Sequence, residues 1–143
     1  MAGYSGTPLV QKIGIKAKDR LLLLNPPKAF DKELTPLPAD VELASEKAKP
    51  INVAVCFTAE RKELERTLPK IKGKLAQNGM LWVGWPKKAS KVPTDLSENI
   101  IRDVGLALGL VDVKVCAIND VWSGLKFVIP VKDRQSTNIQ SAK

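Results

Sequence analysis

"VDVKVCAINDVWSGLKFVI", residues 111–129, holds two apolar runs on either side of the pair Asn119-Asp120. Both runs are rich in the β-branched and aromatic side chains that suit a pleated, half-buried surface. A link this short predicts an antiparallel hairpin. The chain before it reads differently, as strands alternating with helices. "DRLLLLN", residues 19–25, is the apolar run of a strand buried on both faces. It stops at Asn25-Pro26-Pro27, since proline has no N–H to give a ladder. Residues 41–45 ("VELAS"), 51–57 ("INVAVCF") and 80–85 ("MLWVGW") supply three more strands. Strands separated by helices imply parallel pairing with right-handed crossovers, so helices cover both faces. The fold class is therefore α/β, three layers around a mostly parallel sheet of about six strands, closed by the hairpin. The expected order is second–first–third–fourth–return–fifth strand, with the return strand antiparallel.

The helices carry their own punctuation. In "GTPLVQKIGI" Thr7 is the expected N-cap, Pro8 the first position and Gly14 the stop. "FDKEL", residues 30–34, makes one helical turn. Thr58 is expected to cap a helix whose inner face is Leu64, Leu68, Ile71 and Leu75, ending at Asn78-Gly79. Pro69 falls inside it and predicts a kink or a restart. In residues 92–109, Asp95 and Glu98 stand at capping-box spacing and Ile101, Val104 and Leu108 form the inner face. One domain over residues 1–131 and a polar, flexible tail over 132–143 follow.

Composition removes several chemistries. The 143 residues contain no histidine, which excludes Ser-His-Asp and Cys-His nucleophile activation and nearly every transition-metal site. No apolar run is long enough for a membrane span, and no charged-then-apolar leader opens the chain, so a cytoplasmic location is expected. Cys56 and Cys116 lie in strand-like runs and read as buried free thiols, with a regulatory disulfide as the alternative. The net charge of +8 is uneven: residues 58–93 carry nine basic and three acidic side chains, while 94–143 carry six of each. That excess favours an anionic partner. Lys70, Lys72 and Lys74 nevertheless approach a helix C-terminus, at the far end of the sheet from Lys87 and Lys88, so no continuous nucleic-acid track is expected.

Residues 19–129 resemble the core of a class I, Rossmann-like methyltransferase. The likeness rests on "NGMLWVGWP", which looks like the strand carrying a late glycine–apolar–apolar pattern, and on "KVCAINDVWSGLKFVI", which looks like the closing strand pair. Along nearly its whole length the chain also resembles a bacterial domain family of unknown function, through "AGYSGTPL", "LWVGWPKKAS", "TDLSEN" and "VCAINDVWSGL". The methyltransferase resemblance implies S-adenosylmethionine as cofactor, held at a glycine-rich turn after the first strand, with an acid such as Glu42 or Glu46 on the ribose. Here the turn reads "LLLLNPPKAF"; no glycine occurs between Gly14 and Gly73. Prolines cannot form a nest of N–H donors, so the expectation drawn is no cofactor.

Other motifs dissolve on inspection. Ser123-Gly124-Leu125-Lys126 matches S-x-x-K, but on a strand positions three apart face opposite ways. Asn25-Pro26-Pro27 lacks the aromatic of the amino-methyltransferase motif and reads as a strand-ending turn. In open α/β sheets ligands bind beyond the carboxyl ends of the strands. Asn25, Thr58, Trp85, Lys87, Lys88, Asn119, Asp120 and Trp122 are delivered there and form the candidate rim. Trp82, three residues from Trp85, reads as core. The function expected is a non-catalytic binding or regulatory module recognising an anionic small molecule or an acidic protein surface. The alternatives are a methyltransferase with an altered cofactor loop and weak, charge-driven nucleic-acid binding.

Overall fold

The structure, a computed structural model, describes residues 8–134. Six strands form one sheet in the order β2-β1-β3-β4-β6-β5. They are β1 (Arg20–Leu24), β2 (Glu42–Leu43), β3 (Ile51–Phe57), β4 (Leu75–Pro86), β5 (Val111–Ala117) and β6 (Trp122–Val128). β1 to β4 pair in parallel, and β6 runs antiparallel to both β4 and β5. This is the expected order and polarity, and the chain is Rossmann-like.

Two long helices, α3 (Arg61–Lys72) and α4 (Glu98–Ala107), cover one face. Their buried residues Leu64, Leu68, Ile71, Ile101 and Val104 meet Ala54 and Cys56 of β3 and Leu81, Val83 and Trp85 of β4. Among the described residues, the other face receives the short α1 (Leu9–Ile13) and α2 (Phe30–Glu33). There Ile13, Ile15, Phe30 and Leu34 pack on Val53, Val55, Phe57 and Trp82. The alternate residues of β3 and β4 thus feed two separate cores, as the two-residue strand period requires. Trp82 is fully buried and donates its indole N–H to the Ile13 carbonyl at 2.9 Å, tying α1 to the sheet.

Several boundaries differ from expectation. The 58–79 helix does not reach Asn78-Gly79; it ends at Lys72, and Leu75 already pairs with Ile51 as the start of β4. Pro69 does not interrupt it: the helix continues through it to Lys72, although the bond that an N–H there would give the Glu65 carbonyl is lost. Thr58 does not cap α3. The Arg61 amide instead donates to Asp95 Oδ1 at 2.8 Å, from the segment leading into α4. With Asp95 so engaged, Ser97 caps α4 by accepting from the Ile100 amide. Glu98 pairs with Arg102, which also reaches Asp112. β2 is two residues, shorter than the expected run. Gly14 does stop α1, with φ of 93°. Thr7 lies outside the described residues, as does the tail from residue 135. Just before that, Val131–Asp133 forms a short 3-10 turn. No helix among the described residues is long and apolar enough to cross a membrane.

Candidate functional site

The carboxyl ends of β1 and β3 lie side by side, with Leu24 paired to Cys56. Asn25 leaves β1 in the left-handed conformation, φ 52°, which asparagine tolerates better than any other non-glycine residue. Its amide donates to Glu63 Oε2 at 3.2 Å. Thr58, next after β3, is buried and donates its hydroxyl to Glu63 Oε1 at 2.6 Å. It also accepts from the Glu60 amide at 3.2 Å. The two rim residues Asn25 and Thr58 are therefore joined through the carboxylate of Glu63, on the first turn of α3. Burial first, and the negative charge of Glu63 second, push the Cys56 thiol beneath them up to about 12.

A groove of about 170 Å³ opens beside Asn25 on the α3 side. Leu22, Leu24 and Ile71 supply apolar lining; Glu46, Lys70 and Lys74 supply charge. Glu46 follows β2, the neighbour of β1, so it belongs to the same edge as Asn25. Glu42 lies at the other end of β2, where it pairs with Arg20 at 3.4 Å. Of these two acids, Glu46 is the one that lines the groove.

On the opposite side of the edge the loop after β1 folds over β3. Phe30 meets Phe57 edge-to-face at 4.8 Å, and Phe57 meets Trp122 in the same manner at 5.2 Å. Beyond this aromatic row lies a cleft of about 330 Å³ lined by Lys28, Glu33, Asn119, Asp120 and Trp122, among others. Asn119 shapes the hairpin turn: its Oδ1 accepts from the amides of Val121 and Trp122, both at 2.9 Å, and its amide donates to Glu33 at 3.1 Å. Lys87 joins the turn through its backbone N–H, 2.8 Å from the Val121 carbonyl, and its side chain is half-exposed. Lys88 is exposed in the 3-10 turn Lys88–Ser90. Trp85 is buried, packed among the residues of the α3–α4 core.

The rim residues thus fall into two groups, one around Glu63 and one around Asn119, with Trp85 beneath. Sequence reasoning missed Glu63, Phe30 and Phe57. Glu63 reads as one more helix-surface acid until β1 and β3 are set in parallel register. Phe57 carries a usable signal, because strand alternation from Val53 and Val55 puts it on the same face as Trp82.

No family model matches this chain, and no curated protein sequence is similar to it. Solved structures do match. A magnesium protoporphyrin IX methyltransferase from Synechocystis PCC 6803 with S-adenosylmethionine bound superposes with a TM-score of 0.54 at 9% identity, over 84% of this chain and 74% of the other. The fibrillarin of Aeropyrum pernix, with natively bound S-adenosylmethionine, gives 0.51 at 13% identity, over 87% and 70%. A precorrin-6y C5,15-methyltransferase from Geobacter metallireducens gives 0.52 at 7% identity, over 83% and 84%. At such identities the likeness establishes the fold alone, a Rossmann-like core. It also corrects the expectation of a non-catalytic, cofactor-free module, since two of these three are methyltransferases and two hold S-adenosylmethionine.

Proposed function

We propose that this chain is an S-adenosylmethionine-dependent methyltransferase whose cofactor turn relies on side chains instead of glycine backbone. The observation that carries the proposal is Glu46: an acid beyond the end of β2, sharing one groove with Asn25 at the end of β1. An acid on the strand next to the first is where a fold of this kind engages a ribose diol.

The donor set fits the cofactor by chemical type. A ribose diol and an ammonium need acceptors, supplied by the carboxylates of Glu46 and Glu63. The cofactor's own carboxylate needs cations, and Lys70 and Lys74 line the groove. An adenine needs apolar surface, which Leu22 and Leu24 provide. Pro26 and Pro27 offer no N–H groups, so the backbone nest is replaced by the Asn25–Glu63–Thr58 hydrogen-bonded set. When bound, the cofactor supplies an electrophilic methyl group on a sulfonium. Glu63, fixed by two hydrogen bonds, presents negative charge toward that end of the site. The cleft around Lys28, Glu33 and Trp122 is the acceptor side, with Trp122 as an apolar wall. The resemblance to the bacterial family of unknown function belongs to the same proposal and adds no activity of its own.

Calorimetric titration of the whole chain with S-adenosylmethionine tests the reading. Stoichiometric heat is expected, competed by S-adenosylhomocysteine and weakened at least tenfold in Glu46→Gln. Absence of heat in the wild type, or wild-type affinity in Glu46→Gln, would overturn it.

A further inference from the structure

The start of α3 is held by a segment from another part of the chain. Asp95 Oδ1 accepts from the Arg61 amide at 2.8 Å, and the Thr94 hydroxyl donates to the Ala59 carbonyl at 2.6 Å. Between these contacts, the Glu60 amide donates to the Thr58 hydroxyl at 3.2 Å. Residues 59, 60 and 61 are thus fixed in succession, the outer two by Thr94 and Asp95. A helix start needs such partners, because its first amides have none within the helix. Glu60, at the N-cap of α3, makes no side-chain cap hydrogen bond. Asp95 fills that place from 34 positions away.

Thr94 and Asp95 are themselves held. The Leu96 amide donates to Thr94 Oγ1 at 3.0 Å, and the Leu96 side chain is buried in the α3–α4 core. Ser97 then caps α4, so the Asp95 carboxylate serves α3 instead. Its negative charge also stands at the positive end of the α3 dipole.

What this hold positions is Glu63. It lies on the first turn of α3, two residues beyond Arg61, and the side chains of a helix lean toward its N-terminus. Glu63 therefore reaches back over the end of β3. There its carboxylate accepts from the Thr58 hydroxyl at 2.6 Å and from the Asn25 side-chain amide at 3.2 Å. Both partners follow strands of the sheet, so a shift of the first turn of α3 would draw the carboxylate away from both. We propose that Thr94 and Asp95 are positioning residues for cofactor binding: they hold the first turn of α3 so that Glu63 presents its carboxylate to the cofactor's ammonium in one fixed orientation. The inference rests on the cofactor reading above and extends it. Neither residue lines the cofactor groove, yet both act on it through Glu63.

The test uses the whole chain, first without cofactor. In heteronuclear NMR spectra the side-chain amide protons of Asn25 should shift in Asp95→Ala. They should keep their wild-type position in Asp95→Asn, whose amide oxygen still accepts from Arg61. Calorimetry with S-adenosylmethionine follows. Asp95→Ala should bind about fivefold more weakly, the size of a lost cap, and Asp95→Asn should stay within about twofold of wild type. Thr94→Val should weaken binding in the same direction by less. In a Glu63→Ala background, Asp95→Ala should still lower the urea midpoint but leave the affinity unchanged; a merely structural role would act on affinity alike in both backgrounds or in neither. If wild-type protein gives no heat with S-adenosylmethionine, the cofactor reading falls and takes this one with it. If heat is present, and the Asn25 signals or the affinity are indifferent to Asp95→Ala, or the loss persists at full size without Glu63, this one falls alone.

Discussion

The two faces of the sheet are built on different terms. On the α3–α4 side, two helices of 12 and 10 residues lay amphipathic faces over the strands and close the core. On the other side, the helices among the described residues are of 5 and 4 residues. The first face spends its surface on stability. The second carries two lysines side by side, Lys114 and Lys126, across the β5–β6 pair. The comparison also separates two kinds of basic region. Lys70, Lys72 and Lys74 are adjacent in sequence but dispersed in role, since Lys72 donates to the Leu108 carbonyl at 2.6 Å. Lys16, Lys114 and Lys126 come from segments with little net charge and meet only in the fold.

The largest expected effect lies on the closed face. Gly105 of α4 rests on Phe127, and a Cβ added there would stand 2.2 Å from the ring. In an open helix Gly→Ala would stabilise by about 1 kcal/mol. Gly105→Ala should instead destabilise by about 2–3 kcal/mol, seen as a lower urea midpoint; a stabilised variant would show that the two layers are loosely packed. Trp82→Phe probes the other face. It removes the indole hydrogen bond to Ile13 and leaves a small void, at an expected cost of about 2 kcal/mol. Loss of protection in the α1 amides by hydrogen exchange, with α3 unaffected, would confirm that the faces are secured independently.

The smallest effect has the opposite sign. Lys126 has a lowered pKa in the fold, so the unfolded chain binds more protons as pH approaches 10.5. Stability from this group therefore rises with pH through the interval between the folded value and 10.5. Lys126→Gln should raise stability near neutral pH by about 0.5 kcal/mol or less and flatten that rise. Cys56 works against it: with its pKa raised from 9.0 to about 12, it withdraws stability as pH climbs across that range. The two are separated by repeating the profile in Cys56→Ala.

The sheet was legible because its strands are unbroken apolar runs, and β3 coincides with "INVAVCF" residue for residue. The end of α3 was not. Leu64, Leu68, Ile71 and Leu75 keep helical spacing, but pairing of Leu75 with Ile51 takes the last of them into β4. Asp95 was misread for a similar reason: local spacing links it to Glu98, whereas its carboxylate serves an amide 34 positions away. At the site, Asn25 and Thr58 could be found because strand ends are visible in a sequence. Glu63 could not, because what distinguishes it is the parallel pairing of β1 with β3, a contact no local pattern records.

The strand order bears on how the chain is made. β6 occupies the position between β4 and β5, although it follows both in sequence. On the ribosome, β4 is complete at Pro86, yet the strand that covers its free edge begins only at Trp122. At ~5–20 residues per second that interval is about 2–7 s. During it a long apolar strand has an unsatisfied edge, and β5, already synthesised, has nothing to pair with. An open edge of this kind is a template for other chains, so nascent chains that pause in the hairpin turn are the population most exposed to misassembly and to capture by chaperones.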